Sequence, residues 1–135
     1  MRNHILLIDD DKDEMIFLCE TMQEAGLKNA CTWAQGIEHA LRILTYLTPD
    51  IILVDYNMPA INGIEGLKKI RLLNSIARVP AIIYSNCIDD ICDEAMSAGA
   101  MACIKKPTTQ EDFEVMFRLL QSIIRNKQNE LIRAI

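Results

Sequence analysis

Three adjacent carboxylates, Asp9, Asp10 and Asp11, follow directly on the apolar run Ile5–Ile8 in "ILLIDDD". Carboxylates about 4 Å apart repel by roughly 4 kcal/mol at an effective dielectric near 20. Water, protons, a basic side chain or a metal ion would offset that repulsion. Other reactive residues stand in comparable places, each just after an apolar run. Asp55 follows "IILV", Ser85 follows "AIIY", and Lys105, Lys106 and Pro107 follow "AMACI". One or two carboxylates, a carbonyl and several waters make a typical magnesium environment, and magnesium with few protein ligands usually awaits a phosphate. Aspartate is a known covalent acceptor of phosphoryl groups, which makes Asp55 a candidate nucleophile. Ser85 and a lysine would then stabilise charge on the phosphoryl oxygens.

These residues need a scaffold that brings them together, and the hydrophobic pattern supplies one. Short apolar runs predict strands over His4–Ile8, Asn29–Trp33, Ile51–Val54, Ala81–Tyr84 and Ala100–Ile104. The third and fourth are apolar throughout, as strands covered on both faces of a parallel sheet are. Helical periods lie between them. Met15, Leu18, Cys19, Met22 and Ala25 share one face, closed by Gly26 as a C-terminal cap. Ile37, Ala40, Leu41 and Leu44 repeat the period, as do Leu67 and Ile70, then Ile88, Ile91, Cys92 and Ala95, then Phe113, Met116, Phe117 and Leu120. Five strand–helix units predict an α/β sandwich. Right-handed crossovers place every strand's carboxyl end on one edge, where such folds bind ligands.

The chain has 135 residues, half of them hydrophobic and 24% charged, which suits one folded domain. A net charge of −5 and the lack of a basic cluster argue against a nucleic-acid surface. The first apolar run is too short for a signal peptide and no segment is long enough to span a bilayer, so a cytoplasmic location is expected. Five cysteines without a C-x-x-C pair, and only two histidines, point to reduced, mostly buried thiols rather than a zinc site. Trp33, after the second strand, is not expected to report on the acidic residues.

Four landmarks then fall in order: the acidic pair Asp9–Asp10, D-x-x-M-P-x-x-x-G over Asp55–Gly63, a strand-terminal Ser85, and Lys106–Pro107. Each alone is weak, but together, each after a predicted strand, they are specific. Over nearly its whole length the chain resembles the CheY-like receiver domain of two-component response regulators. The resemblance implies a flavodoxin-like, five-stranded parallel sheet of order 2-1-3-4-5 flanked by five helices. It makes Asp55 the phosphoacceptor and places Mg2+ (or Mn2+) on Asp9, Asp10, Asp55 and the backbone carbonyl of Asn57. It makes Ser85 the switch hydroxyl, Lys106 the phosphate-contacting lysine, and Pro107 the residue after a cis peptide bond. It implies a sensor histidine kinase or histidine phosphotransfer protein as donor, and a further protein as target. Asp11 reads as a helix N-cap, Lys105 as solvent-facing and Asn62–Gly63 as turn chemistry.

Departures from the family pattern fall on the switch rather than the acceptor. Cys103 stands where receivers carry an aromatic residue, Asn86 where a small residue is usual, and Cys87 near the path of attacking water. A receiver is expected over residues 1–126, with 127–135 extending the last helix, either packed back or serving as an interaction helix for a homodimer. The chain is expected to hold no second domain. Two other readings compete. A haloacid-dehalogenase-type phosphatase also opens on an apolar strand and D-x-D, but its further acidic pair is missing: Glu111 and Asp112 fall inside a helical pattern. A pseudo-receiver that binds without phosphorylation would lack the acceptor or the acidic pair, and both are intact.

Overall fold

The computed structural model describes residues 3–27, 29–86 and 88–133, with side chains described up to residue 127. Five parallel strands, β1 (His4–Ile8), β2 (Ala30–Ala34), β3 (Ile51–Asp55), β4 (Ala81–Ser85) and β5 (Ala102–Lys105), form one sheet in the order β2-β1-β3-β4-β5. The helices are α1 (Lys12–Glu24), α2 (Ile37–Ile43), α3 (Gly63–Ile70), α4 (Cys92–Ser97) and α5 (Gln110–Arg133). The order matches the one that the resemblance implies.

Strand alternation divides the core into two. Leu6, Ile8, Ile52, Val54 and Ile83 face one side, packed on α2, α3 and α4 through Ile37, Ala40, Leu67 and Ala95. Ile5, Leu7, Leu53, Ile82 and Tyr84 face the other, on Leu18 of α1 and Phe113, Met116 and Phe117 of α5. β3 and β4 are buried at every residue, which is why their sequences do not alternate.

The helix ends follow from local chemistry. The side chain of Asp11 accepts the Asp13 N–H at 2.9 Å and caps α1, as expected. Gly26, at φ 71°, reverses the chain after α1, with its N–H on the Gln23 carbonyl and the Leu27 N–H on that of Met22. That pairing satisfies two terminal carbonyls in a left-handed turn that suits glycine. Asn62 caps α3 through the Glu65 N–H at 2.9 Å. Gly63 is required by space: a Cβ there would overlap the backbone carbonyl oxygen of Asp55.

The structure corrects several expectations. Asn29 lies outside β2, and β5 begins at Ala102 rather than Ala100. α4 starts at Cys92, not Ile88, because Asp90 takes a left-handed backbone at φ 69° that a helix cannot contain. Trp33 lies within β2. No cis peptide bond occurs among the described residues, so Pro107 follows a trans bond. Trans is the intrinsically lower form by about 0.5–1 kcal/mol, and Lys106 reaches the acidic residues without the alternative. Cys87 lies outside the described residues, as do the side chains of Leu131 and Ile132 and the whole of Ile135.

Candidate functional site

The carboxyl ends of β1, β3, β4 and the segment after β5 converge on Lys106. Its ammonium stands 3.4 Å from Asp9 Oδ2, 3.3 Å from Asp55 Oδ1 and 3.7 Å from Glu14 Oε1, and only 11% of the side chain is exposed. The Lys106 N–H donates to the Ser85 carbonyl at 2.8 Å, which fixes the start of the loop. A basic side chain therefore answers the carboxylate repulsion. Burial alone would push the lysine down, but Asp9, Asp55 and Glu14 together hold it above its ordinary value.

Asp9 is fully buried and well provided with donors. Oδ1 accepts the Asp11 N–H at 3.0 Å, and Oδ2 accepts the Tyr84 hydroxyl at 2.5 Å as well as Lys106. Its backbone carbonyl accepts the Trp33 indole N–H at 2.8 Å. Asp55 is 3% exposed and accepts the Asn57 N–H at 3.3 Å. Burial, reinforced by the Asp9 charge and opposed by Lys106, pushes its carboxyl up to about 6. Asp10 is exposed to solvent. One carboxylate oxygen from each of Asp9, Asp10 and Asp55 lies within 4.8 Å of the others. Clustered hard oxygen donors fit magnesium or manganese, so the donor set agrees with the expected ion.

The matched set is thus brought together, with additions. Ser85 is buried, and its Oγ accepts the Asn57 side-chain amide at 3.4 Å, so Asn57 links acceptor and hydroxyl. Asn86 and Lys105 are exposed. Cys103 pairs with Ile83 across the sheet and packs on the α2–α3–α4 side. Cys31 and Cys103 thiols are pushed up to about 12, by burial first, which keeps them protonated and weakly nucleophilic.

Tyr84, Trp33 and Glu14 were missed as site residues. Tyr84 reads as one more apolar residue of "AIIYS", and Trp33 as a strand end. The available signal was that a buried phenol or indole finds a partner, and both lie on strands adjoining the carboxylates. Lys106 also rides over the Tyr84 ring, 4.9 Å from its centroid. Burial and the Asp9 charge drive the Tyr84 hydroxyl far above its ordinary value, so it stays a donor.

The model of the response regulator receiver domain matches residues 5–128, from β1 through most of α5. The chain belongs to that family. The chain spans about half the length of several of the relatives it matches. The chain is 32% identical over 107 residues to sporulation initiation phosphotransferase F of Bacillus subtilis, covering 79% of this chain and 84% of that protein. It is 32% identical over 117 residues to the nitrate/nitrite response regulator NarL of Escherichia coli, covering 80% of this chain but 50% of NarL. It likewise spans 52% of the sensory transduction protein LytT of Oceanobacillus iheyensis, at 25% identity. A CheY-like receiver from Methanospirillum hungatei superposes with a TM-score of 0.79 at 20% identity, covering 96% and 99% of the two chains, a likeness of fold. The Francisella response regulator 1452 receiver gives 0.75 at 26% identity, covering 93% and 98%. Among the described residues no helix is long and apolar enough to cross a membrane.

Proposed function

We propose that this receiver accepts a phosphoryl group onto Asp55 from a phosphohistidine of a sensor kinase or histidine phosphotransfer protein. An Asp55 carboxylate oxygen attacks phosphorus, the P–N bond to imidazole breaks, and the histidine leaves with its electron pair. The observation that carries this reading is the placement of Asp55, a buried carboxylate facing Lys106 at 3.3 Å with Ser85 linked to it through Asn57. Lys106, held by three carboxylates, is already aimed at the acceptor and needs little reorganisation to meet phosphoryl oxygens. Asp9, Asp10, Asp55 and the Asn57 carbonyl are the residues that would hold Mg2+ or Mn2+. The ion would supply neutralisation of the phosphoryl oxygens' charge.

Ser85 is the proposed switch, turning its hydroxyl from Asn57 toward the new phosphate, and the receiver acts on a downstream protein or passes the group on. A cytoplasmic site of action suits the phosphohistidine donor. Residues 1–126 form the receiver in this reading, and 127–135 prolong α5 as a docking or dimer element. The phosphatase alternative loses ground because Glu111 and Asp112 lie exposed in the first turn of α5, away from a strand end.

The test is intact mass after incubation with acetyl phosphate and magnesium. Wild type should gain one phosphoryl group and Asp55→Asn none; labelling on Asp9 with Asp55 dispensable would instead support the phosphatase. Ser85→Ala should still gain phosphate yet lose most amide shifts over 88–98 on beryllofluoride addition. Wild-type shifts there would place the switch elsewhere.

A further inference from the structure

Tyr84 sits under the acidic cluster with its two ends engaged differently. The hydroxyl donates to Asp9 Oδ2 at 2.5 Å, and the ring face carries the Lys106 ammonium at 4.9 Å. With the Asp11 N–H on Oδ1 and Lys106 on Oδ2, Asp9 has three donors for roughly four acceptor positions. Asp10 is open to solvent, and Asp55 meets a backbone N–H and the shared lysine. The two members of the acidic pair are therefore not equivalent in their protein partners. A hydrogen bond to an ionised carboxylate is among the stronger ones a buried site makes, and it draws charge from the oxygen it binds.

We propose that Tyr84 is a positioning residue whose hydroxyl, by engaging Asp9 Oδ2, opposes the draw of a divalent cation on that carboxylate. This rests on the receiver reading of the site. Tyr84 thereby lowers cation affinity while holding Asp9 and Lys106 in the arrangement that faces Asp55. Removing the hydroxyl alone leaves the formal charge unchanged but frees an acceptor position on Asp9 Oδ2 and leaves that oxygen's charge less compensated. Magnesium should then bind more tightly, the opposite of what loosened packing would cause.

Tyr84→Phe keeps the ring under Lys106 and the packing on Phe113 and Met116, so it is the variant to use. Calorimetric titration of the unphosphorylated chain with magnesium should show affinity raised on the order of fivefold. In an Asp9→Asn background the same change should move affinity less than about twofold, since the oxygen it releases is no longer a full carboxylate. In the metal-free protein, urea unfolding of the four-member cycle should couple Tyr84 and Asp9 by about tenfold in the folding equilibrium constant. With acetyl phosphate, half-saturating magnesium should fall together with the maximal rate of uptake. Unchanged or weaker magnesium binding in Tyr84→Phe, or the same shift with and without Asp9, would overturn the proposal. If wild type takes up no phosphate, the receiver reading fails while the calorimetric and unfolding arms still decide the role of Tyr84.

Discussion

The ends of β1 and β3 and the stretch from Ile88 to Lys105 lie in neighbouring parts of the sheet, yet they are built by opposite means. In the first, each buried charge has specific partners: Asp9 takes three donors, Lys106 three carboxylates, and Asp55 an N–H and an ammonium. In the second, α4 has six residues and no side-chain cap, Asp90 holds a left-handed backbone, and β5 stays half-buried or exposed. The first region is over-determined, because a buried charge without a partner costs several kcal/mol. The second has no such charge cluster among the described residues: apolar packing of Ile91, Ala95, Ala98 and Cys103, the ladder to β4, and Arg71 donating to the Gly99 carbonyl hold it.

The largest expected effect breaks the well-determined side. Lys106→Met should destabilise the metal-free protein by about 3 kcal/mol at pH 7, because two buried carboxylates lose their shared cation. Urea unfolding in chelator would measure it, and magnesium should recover much of the loss. A change under about 0.5 kcal/mol would mean that the lysine does not hold the cluster together.

Asp55→Asn should act in the reverse direction. The Asp55 carboxyl is raised from 3.8 to about 6, burial being the main cause. An acid with a raised folded-state pKa binds its proton more tightly when folded, so wild type loses stability as pH rises through about 4 to 6. The variant should be more stable than wild type by about 1–2 kcal/mol at pH 7.5 without metal, and by almost nothing near pH 4. A difference independent of pH would show that Asp55 is not strained by its charge.

The smallest effect sharpens the other side. Asp90→Gly should stabilise the fold by about 0.5 kcal/mol, since glycine adopts φ 69° freely but loses more chain entropy. It should leave Lys106→Met losses unaltered, because the two sites share no partners. Destabilisation by Asp90→Gly, read from the same urea curves, would mean that its side chain holds the turn.

The same contrast explains what the sequence discloses. Asp9, Asp55, Ser85 and Lys106 were legible because strand ends in a parallel sheet must meet at one edge, and their residue types are unusual beside apolar runs. Sheet order came from resemblance rather than periodicity. The start of α4 was misread because Ile88 and Ile91 keep the helical period while Asp90 breaks the backbone, and periodicity does not register φ. Tyr84 was hidden because a tyrosine within an apolar strand satisfies the pattern with its ring, and the pattern is silent about its hydroxyl. The trans bond before Pro107 was missed because the expectation was carried over from the family, whereas here the lysine reaches its partners with the bond trans.

Trp33 carries a consequence of a different kind. It is the chain's single tryptophan, and its indole N–H is bonded to the carbonyl of Asp9, the residue whose carboxylate meets Lys106 and Tyr84. Indole emission responds to the polarity and hydrogen bonding of that N–H, so the protein contains an unlabelled optical gauge one residue from its charge cluster. Rapid mixing of the unlabelled protein with magnesium, or with magnesium and acetyl phosphate, would then show by emission whether either event moves the Asp9 carbonyl.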